Sequence, residues 1–266
     1  MHWIIQDNLY LENKHNELRS FLERMDIPFT EVKVIPFSEG LSLDQCMEPY
    51  VNPEGLVMVS GSTTLAKIAA NVGWTPGSFF NENHDYRVWN KHYGANLLNH
   101  NMIVCRFEDV GHEFEEFFIR PTADSKSFSG KVYSWHEFKE WQHKVINLNE
   151  VYTTLDSDTM VAYGPVKNIY REARFYVVDG KITTYSTYKL GRAIIHMAET
   201  PPEMIEYAQK MVDIWTPARA FVIDLALTDD NGSGPVKIIE LGCINAAGFY
   251  DIDIQKFVMA IEEMKF

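Results

Sequence analysis

The 266-residue chain has only three cysteines, Cys46, Cys105 and Cys243, far apart and never in CxxC spacing. Such an odd, scattered set excludes a disulfide framework and a thiolate zinc knuckle, and reduced thiols in a cytoplasmic compartment are the expectation. Uninterrupted apolar runs are short, so no segment is expected to span a bilayer or to engage a membrane. The opening MHWIIQDNLYLENK lacks the basic-then-apolar layout of a secretion signal. There is no Gly, Pro or Ser tract long enough to act as a linker, no internal repeat and no low-complexity stretch, so any lobes are expected to be tightly joined. Positive charge is also in short supply: 24 Lys and Arg against 37 Asp and Glu leave a formal charge of −13, which argues against coating duplex nucleic acid by neutralising phosphates. Neither GxxxxGK[ST] nor GxGxxG occurs, which excludes the two common glycine-loop nucleotide motifs. HExxH is missing as well, because His112 and His136 precede EFEE and EFKE, and the spacing of His84, His92 and His100 matches no zinc helix or finger.

What the chain does have is apolar material, 46% of its residues, which is enough to bury a sizeable core. The first third alternates strands and helices. His2–Gln6 is an apolar strand; Leu18, Phe21, Leu22 and Met25 make one stripe of a helix; Phe29–Pro36 returns as a strand with Val32, Val34 and Pro36 on one face. Gly55–Ser60 reads as a strand buried on both faces and Thr63–Asn71 as a helix, with Ser60-Gly61-Ser62-Thr63 supplying an ordinary helix cap. Beyond about Leu98 the texture becomes strand-rich. Asn101–Phe107 and Glu116–Arg120 are expected to pair, and Trp135–Lys144 and Glu203–Trp215 to form helices. Arg171–Val178 and Lys181–Tyr188 flank Asp179-Gly180, a hairpin signal, while Ala220–Leu227 and Val236–Leu241 flank a second turn. Ile254, Phe257, Val258 and Ile261 mark a terminal amphipathic helix. The expected fold class is α/β plus α+β: an open α/β lobe over residues 1–98, then an α+β region with antiparallel sheets over 99–266.

The second hairpin carries the chemistry. A turn centred near Gly232 sets Asp224 across from Glu240, with Cβ atoms about 5 Å apart. Alternation puts Phe221, Ile223, Leu225 and Leu227 on one face and Val222, Asp224 and Ala226 on the other. Two opposed carboxylates on an apolar sheet repel and lose solvation, costs that a divalent cation removes; hard oxygen donors select Mg²⁺, with Mn²⁺ as the alternative. Asn245, just past the strand, offers a carbonyl to the same ion. In the first hairpin, Glu172, Arg174 and Tyr176 share a face, and the turn sets Arg174 near Tyr185 and Glu172 near Thr187. Phe117-Phe118-Ile119-Arg120-Pro121 ends an apolar strand in an arginine, and the small-residue loop Thr122–Gly130 carries Lys126, a composition suited to phosphate oxygens. Cys243 has no base beside it, and no nucleophilic triad is visible.

In this order the motifs FxRPxxxxKxFxG (Phe118–Gly130), ExRFYVVDGK (Glu172–Lys181), VIDLAL (Val222–Leu227) and IIELGCINAAGFYD (Ile238–Asp251) resemble the ATP-grasp superfamily. Within it they are most similar to the clade of phage and bacterial proteins named for two arginines and a lysine. The resemblance covers roughly residues 100–266, with a pre-ATP-grasp-like lobe before it. It implies two small α+β subdomains that sandwich ATP, with adenine on a backbone hinge at Val161, Ala162, Tyr163 and Val166. Arg120 and Lys126 would contact phosphates, Glu172 would face the nucleotide, Arg174 would hold the γ-phosphate or an acyl phosphate, and Asp224 and Glu240 would bind Mg²⁺. Many relatives carry Glu-x-Asn at the second metal position; here Gly242 fills the Asn slot, and Asn245 is the substitute three residues on.

The implied activity is an ATP-dependent, Mg-assisted carboxylate–amine ligation through an acyl phosphate. Its substrates would be a small-molecule or peptide carboxylate and an amine, met by Arg87, Lys189 and Arg192, in the cytoplasm or, for a phage-encoded chain, the host cytoplasm. Two further readings are an ATP-binding module without ligase activity and a small-molecule kinase on the same fold.

Overall fold

The computed structural model describes the chain except residues 10–13, 36–46, 50, 126, 149–153 and 230. Pro36, Cys46 and Lys126 lie outside the described residues. The chain divides into two compact units, one made of Met1–Asn81 with Ile169–Phe266 and the other of Glu82–Asn168. No helix among the described residues is long and apolar enough to cross a membrane.

The discontinuous unit opens with β1 (His2–Gln6), α1 (His15–Arg24), β2 (Phe29–Val34), β3 (Met47–Glu48), β4 (Leu56–Ser60), α2 (Thr63–Val72) and β5 (Thr75–Gly77). Their sheet has the order β3-β2-β1-β4-β5, parallel except for β3. Alternation on β1 serves two cores: Ile4 packs with Val32, Val57 and the apolar side of α2, while Trp3 and Ile5 face the opposite way. Ser62 caps α2 by accepting from the Leu65 N–H, and Gly73 closes it in the left-handed conformation.

The continuous unit holds α3 (Tyr86–Tyr93), β6 (Ile103–Arg106), β7 (Glu116–Pro121), β8 (Lys131–Ser134), α4 (Trp135–Leu148) and β9 (Met160–Pro165). Its antiparallel sheet runs β6-β9-β7-β8. The expected pairing of Asn101–Phe107 with Glu116–Arg120 is therefore corrected, because β9 lies between the two strands. Val161, Ala162 and Tyr163 of β9 are buried, and a strand apolar on both sides takes a central place. Phe107, Phe117 and Phe138 make the aromatic core, with ring centroids 5.2–5.6 Å apart at steep angles.

The chain then returns to the first unit as β10 (Ile169–Val178), β11 (Lys181–Leu190), β12 (Ala193–Met197), α5 (Pro202–Ile214), β13 (Ala220–Thr228), β14 (Val236–Cys243) and α6 (Ile254–Glu262). These strands form an antiparallel sheet in the order β12-β11-β10-β13-β14. The β10–β11 turn has Asp179 at φ 46° and Gly180 at φ 76°, the two positive angles that a tight hairpin turn matching strand twist needs.

One core joins both ends of the chain. Trp3, Ile5, Leu18 and Leu22 pack with Tyr176, Val178, Ala220 and Val222 of the antiparallel sheet and with Phe257, Val258 and Ile261 of α6. Trp3 meets Phe257 edge to face at 5.9 Å, and its indole N–H donates to Glu262 at 2.6 Å. Trp3→Ala should lower unfolding stability by about 3–5 kcal/mol, read as a fall in the denaturant midpoint with unchanged slope. A loss under about 1 kcal/mol would show that this core does not hold the two chain segments together.

Candidate active site

Three adjacent strands bring three charged residues into one row. On β10, β13 and β14, Arg174 lies opposite Asp224, and Asp224 opposite Glu240. The Asp224–Glu240 pairing expected from the turn near Gly232 is the observed one. The same sheet face continues, two residues along each strand, into Tyr176 and Val222 of the shared core. The charged row is thus the far end of a face whose other end is packed apolar.

Arg174 is about nine-tenths buried and Asp224 almost entirely so. The guanidinium grips the carboxylate with two parallel bonds, Nε to Oδ1 and Nη2 to Oδ2, both 2.8 Å, the bidentate geometry that makes such a pair strong. Nη1 donates to the Gly248 carbonyl at 3.3 Å. Tyr250 lies 5.0 Å below the guanidinium and Tyr188 5.9 Å away, and the two tyrosine rings stack on each other at 4.7 Å. Glu240 approaches Nη2 at 4.0 Å.

Burial by itself would lower the Arg174 pKa, but the Asp224 charge and its hydrogen bonds hold it well above the usual value, so the guanidinium stays charged. Burial pushes the Asp224 carboxyl up, and Glu240 and Glu172 add to that; together they outweigh the pull of Arg174. The row is over-supplied with carboxylate. The Tyr188 hydroxyl is also raised well above its usual value, by burial and then by the Asp224 and Glu172 charges, and remains a donor at neutral pH.

The first hairpin departs from the simple register. Two β-bulges, between Tyr176 and Val177 and between Glu172 and Ala173, shift the pairing by one residue each, so that Arg174 faces Ser186 rather than Tyr185 and Glu172 faces Lys189 rather than Thr187. The shift assembles a second ion pair: Lys189 Nζ bonds Glu172 Oε1 at 2.5 Å, and the Tyr188 hydroxyl donates to Glu172 Oε2 at 2.9 Å. Tyr188 and Tyr250 are the residues that the sequence reading missed. A bulge and a left-handed Tyr250 (φ 53°) bring them over Arg174, and neither feature has a period-2 signature. Arg192 stands exposed in the turn between β11 and β12.

In the continuous unit, Arg120 at the end of β7 is buried, with its guanidinium 5.2 Å over the Trp89 ring and Nε donating to the Pro121 carbonyl at 3.3 Å. Arg87 forks onto Asp85 through Nε and Nη2, both at 2.9 Å, and the Thr122 hydroxyl donates to the same carboxylate at 3.0 Å. Against the effect of burial, these bonds hold Asp85 below the usual carboxylate range. The residues of the expected adenine hinge fall at β9 and just past its end. Val161, Ala162 and Tyr163 sit in β9 between β6 and β7, whose ladders take up their backbone groups. Val166 lies past the strand end and is exposed.

Asn245 is corrected as a metal ligand. It is buried, its Oδ1 accepts from the Phe79 N–H at 2.8 Å, and its Nδ2 donates to the carbonyls of Val59 at 2.8 Å and Gly77 at 3.2 Å. Its backbone carbonyl accepts from the Gly61 N–H at 2.8 Å. The side chain thus staples the end of β14 to the parallel sheet. Among the described residues no group of three or more His, Cys, Asp or Glu could hold a metal ion. Asp224 and Glu240 are two hard oxygen donors in a site with surplus carboxylate. That set fits Mg²⁺ supplied with a polyphosphate rather than a dedicated protein cage, and Asp224 and Glu240 would be the residues to hold it.

An ATP-grasp domain family, the third family of the clade named for two arginines and a lysine, matches residues 68–261. No curated protein is detectably similar in sequence. Among solved structures, D-cycloserine synthetase DcsG superposes with a TM-score of 0.61 at 13% identity, over 99% of each chain. D-alanine–D-alanine ligase from Bacillus anthracis, complexed with ATP, gives 0.59 at 15% identity over 98% of this chain and 91% of that one. The ATP-grasp ligase PsnB, complexed with a minimal precursor, gives 0.53 at 12% over 98% and 97%. At these identities the likeness is one of fold: mixed α/β with antiparallel sheets.

Two variants test this geometry. Arg174→Met leaves Asp224 buried beside Glu240 and Glu172, at a cost of about 3–5 kcal/mol near neutral pH. Its carboxyl pKa then rises further above the unfolded value, so the deficit is present at high pH and relieved as pH falls. The variant's melting temperature should climb relative to wild type as pH falls from neutral into the mildly acidic range; a pH-independent deficit would contradict the pairing. Asn245→Ala strips partners from one N–H and two carbonyls and should cost about 2–4 kcal/mol, measured by chemical denaturation.

Proposed function

We propose, from the premise that this chain belongs to the ATP-grasp family, in the clade named for two arginines and a lysine, that it is an ADP-forming ligase joining a carboxylate to an amine. The observation that carries the reading is the aligned row Arg174–Asp224–Glu240, a cation and two carboxylates at one level of one sheet. Metal, cation and oriented phosphate are what phosphoryl transfer requires. In the overall reaction a carboxylate oxygen attacks the γ-phosphorus and ADP leaves. The amine then attacks the acyl carbon, phosphate departs with the C–O bond pair, and the amine proton goes to solvent.

Asp224 and Glu240 would hold Mg²⁺, which would supply withdrawal of charge from the triphosphate oxygens. Arg174, fixed by Asp224 along one edge, turns its remaining Nη N–H groups to the transferring phosphoryl oxygens. Arg120 and Lys126 neutralise phosphate charge, the hinge with Val161, Ala162, Tyr163 and Val166 serves adenine, and Glu172 faces the nucleotide. Arg87, Lys189 and Arg192 meet the carboxylate substrate. Residues 1–98 form the pre-ATP-grasp domain and 99–266 the ATP-grasp domain. The names of the similar structures, a D-cycloserine synthetase, a D-alanine–D-alanine ligase and an ATP-grasp ligase complexed with a minimal precursor, favour amino acids or peptides as substrates, and the cytoplasm is the proposed location. The chain contributes positioning and charge rather than a covalent nucleophile.

A nucleotide-binding module without turnover is the second reading, favoured by Gly242 in the Glu-x-Asn slot and by the commitment of Asn245 to backbone partners. ADP release measured against panels of amino acids and peptides decides between them. Ligation predicts release that needs both a carboxylate and an amine, lost about a hundredfold or more in Asp224→Asn and in Glu240→Gln. A stable phosphorylated product without amide would mark a kinase, and Mg-ATP-stabilised melting without turnover would mark the module.

A further inference from the structure

The Tyr188 hydroxyl occupies a place that none of the roles above explains. It donates to Glu172 Oε2 at 2.9 Å and reaches Asp224 Oδ2 at 3.4 Å, so one O–H lies between two carboxylates on neighbouring strands. Its ring stacks on Tyr250 at 4.7 Å, 19° from parallel, and both rings support the Arg174 guanidinium. Tyr250 is held at φ 53°, a left-handed backbone that a bulky residue rarely adopts. Strain of that kind persists where the surroundings over-determine it. Here the surroundings include the Tyr188 ring, the Arg174 guanidinium and the tilted His196 ring, its centroid 5.3 Å away. Tyr188 arrives on this face through the bulge that also sets Glu172 opposite Lys189.

We infer that Tyr188 is a positioning residue for the metal-binding carboxylates: its hydroxyl tethers Asp224 to the Glu172–Lys189 pair, and its ring, stacked with Tyr250, fixes the guanidinium that grips Asp224 from the other side. Asp224 is thereby held from two directions, by Arg174 through both oxygens and by Tyr188 through Oδ2. Without the hydroxyl, Asp224 and Glu172 face each other with no proton between them, and Arg174 alone is left to orient the Asp224 carboxylate. The ring and the hydroxyl have separable tasks, since the hydroxyl bonds the Glu172 and Asp224 carboxylates while the ring lies against Arg174 and Tyr250.

The inference rests on the reading that Asp224 and Glu240 carry a divalent ion brought with ATP, and the experiment separates the two. Binding of a non-hydrolysable ATP analogue is measured by calorimetry without metal and across a Mn²⁺ titration, with bound Mn²⁺ followed by its electron paramagnetic resonance signal. Tyr188→Phe keeps the stack and removes the hydroxyl. It should weaken Mn²⁺ affinity in the presence of the analogue by roughly ten- to a hundredfold, while metal-free analogue affinity stays within about twofold and the ligand-free melting temperature stays near that of wild type. Tyr188→Leu, which removes the ring as well, should lose metal-free analogue affinity in addition. Unchanged Mn²⁺ affinity in Tyr188→Phe, or an equal loss with and without metal, would overturn the positioning role. Failure of the wild type to bind Mn²⁺ with the analogue would instead overturn the metal assignment, whatever Tyr188 does.

Discussion

Two opposite charges out of water, Arg174 and Asp224, set the conditions that the rest of the antiparallel sheet has to meet. Taking both from solvent is costly, and only near-ideal geometry with further hydrogen bonds offsets that cost. The bidentate contact requires β10 and β13 to stay in one register, since a slip of a single residue would turn one partner to the opposite face. It also explains the company the pair keeps. Gly248 supplies a carbonyl, two tyrosine rings cover the flat guanidinium, and Glu240 stands within reach on the next strand. Each gives the ion pair something that water no longer does. The surplus of carboxylate left over is what a divalent ion would answer, so one interaction links the stability of the sheet to its chemistry.

The charged row shares its sheet face with the core of the discontinuous unit. Tyr176 is in the core and also donates to the Gly248 carbonyl at 3.0 Å, so the loop after β14 is bound both to the site and to the packed interior. Asn245, in that same loop, ties it to Val59, Gly77 and Phe79. The parallel sheet at the beginning of the chain therefore acts on the site at one remove, by fixing the loop whose carbonyl holds Arg174. Both contacts are short-range and buried, which favours a rigid placement of the guanidinium over a mobile one.

Much of this was legible in the residues, for identifiable reasons. Asp224 and Glu240 could be set opposite each other because the turn near Gly232 fixes the pairing closely enough, even with the single bulge of β13–β14 between Asp224 and Leu225. Arg174 and Glu172 could not be placed as well, because β11 carries one extra residue between the turn and Arg174 and a second before Glu172, and a bulge leaves no trace in alternation. The strand pairing of the continuous unit was misread because β6 and β7 are neighbours in sequence while β9, which separates them, comes later. Asn245 looked like a ligand because its carboxamide follows an acidic strand, yet carboxamides serve backbone groups as readily as metals. Its true partners, Val59 and Gly77, are distant in sequence. The helix over Tyr86–Tyr93 has its buried Tyr86, Trp89 and Tyr93 at helical spacing, a stripe of only three aromatic residues, and the tyrosines at 188 and 250 carried no periodic signal.

The division of the larger unit into two chain segments has a consequence for the order in which the molecule can be made. A ribosome releases Trp3, Ile5, Leu18 and Leu22 long before it adds Phe257, Val258 and Ile261, the residues that cover them. Residues 82–168, whose aromatic core is drawn from one continuous stretch, can close while that greasy surface is still waiting. During synthesis the nascent chain thus carries an uncovered patch on one unit after the other is finished, and the last helix acts as the clasp that ends its exposure.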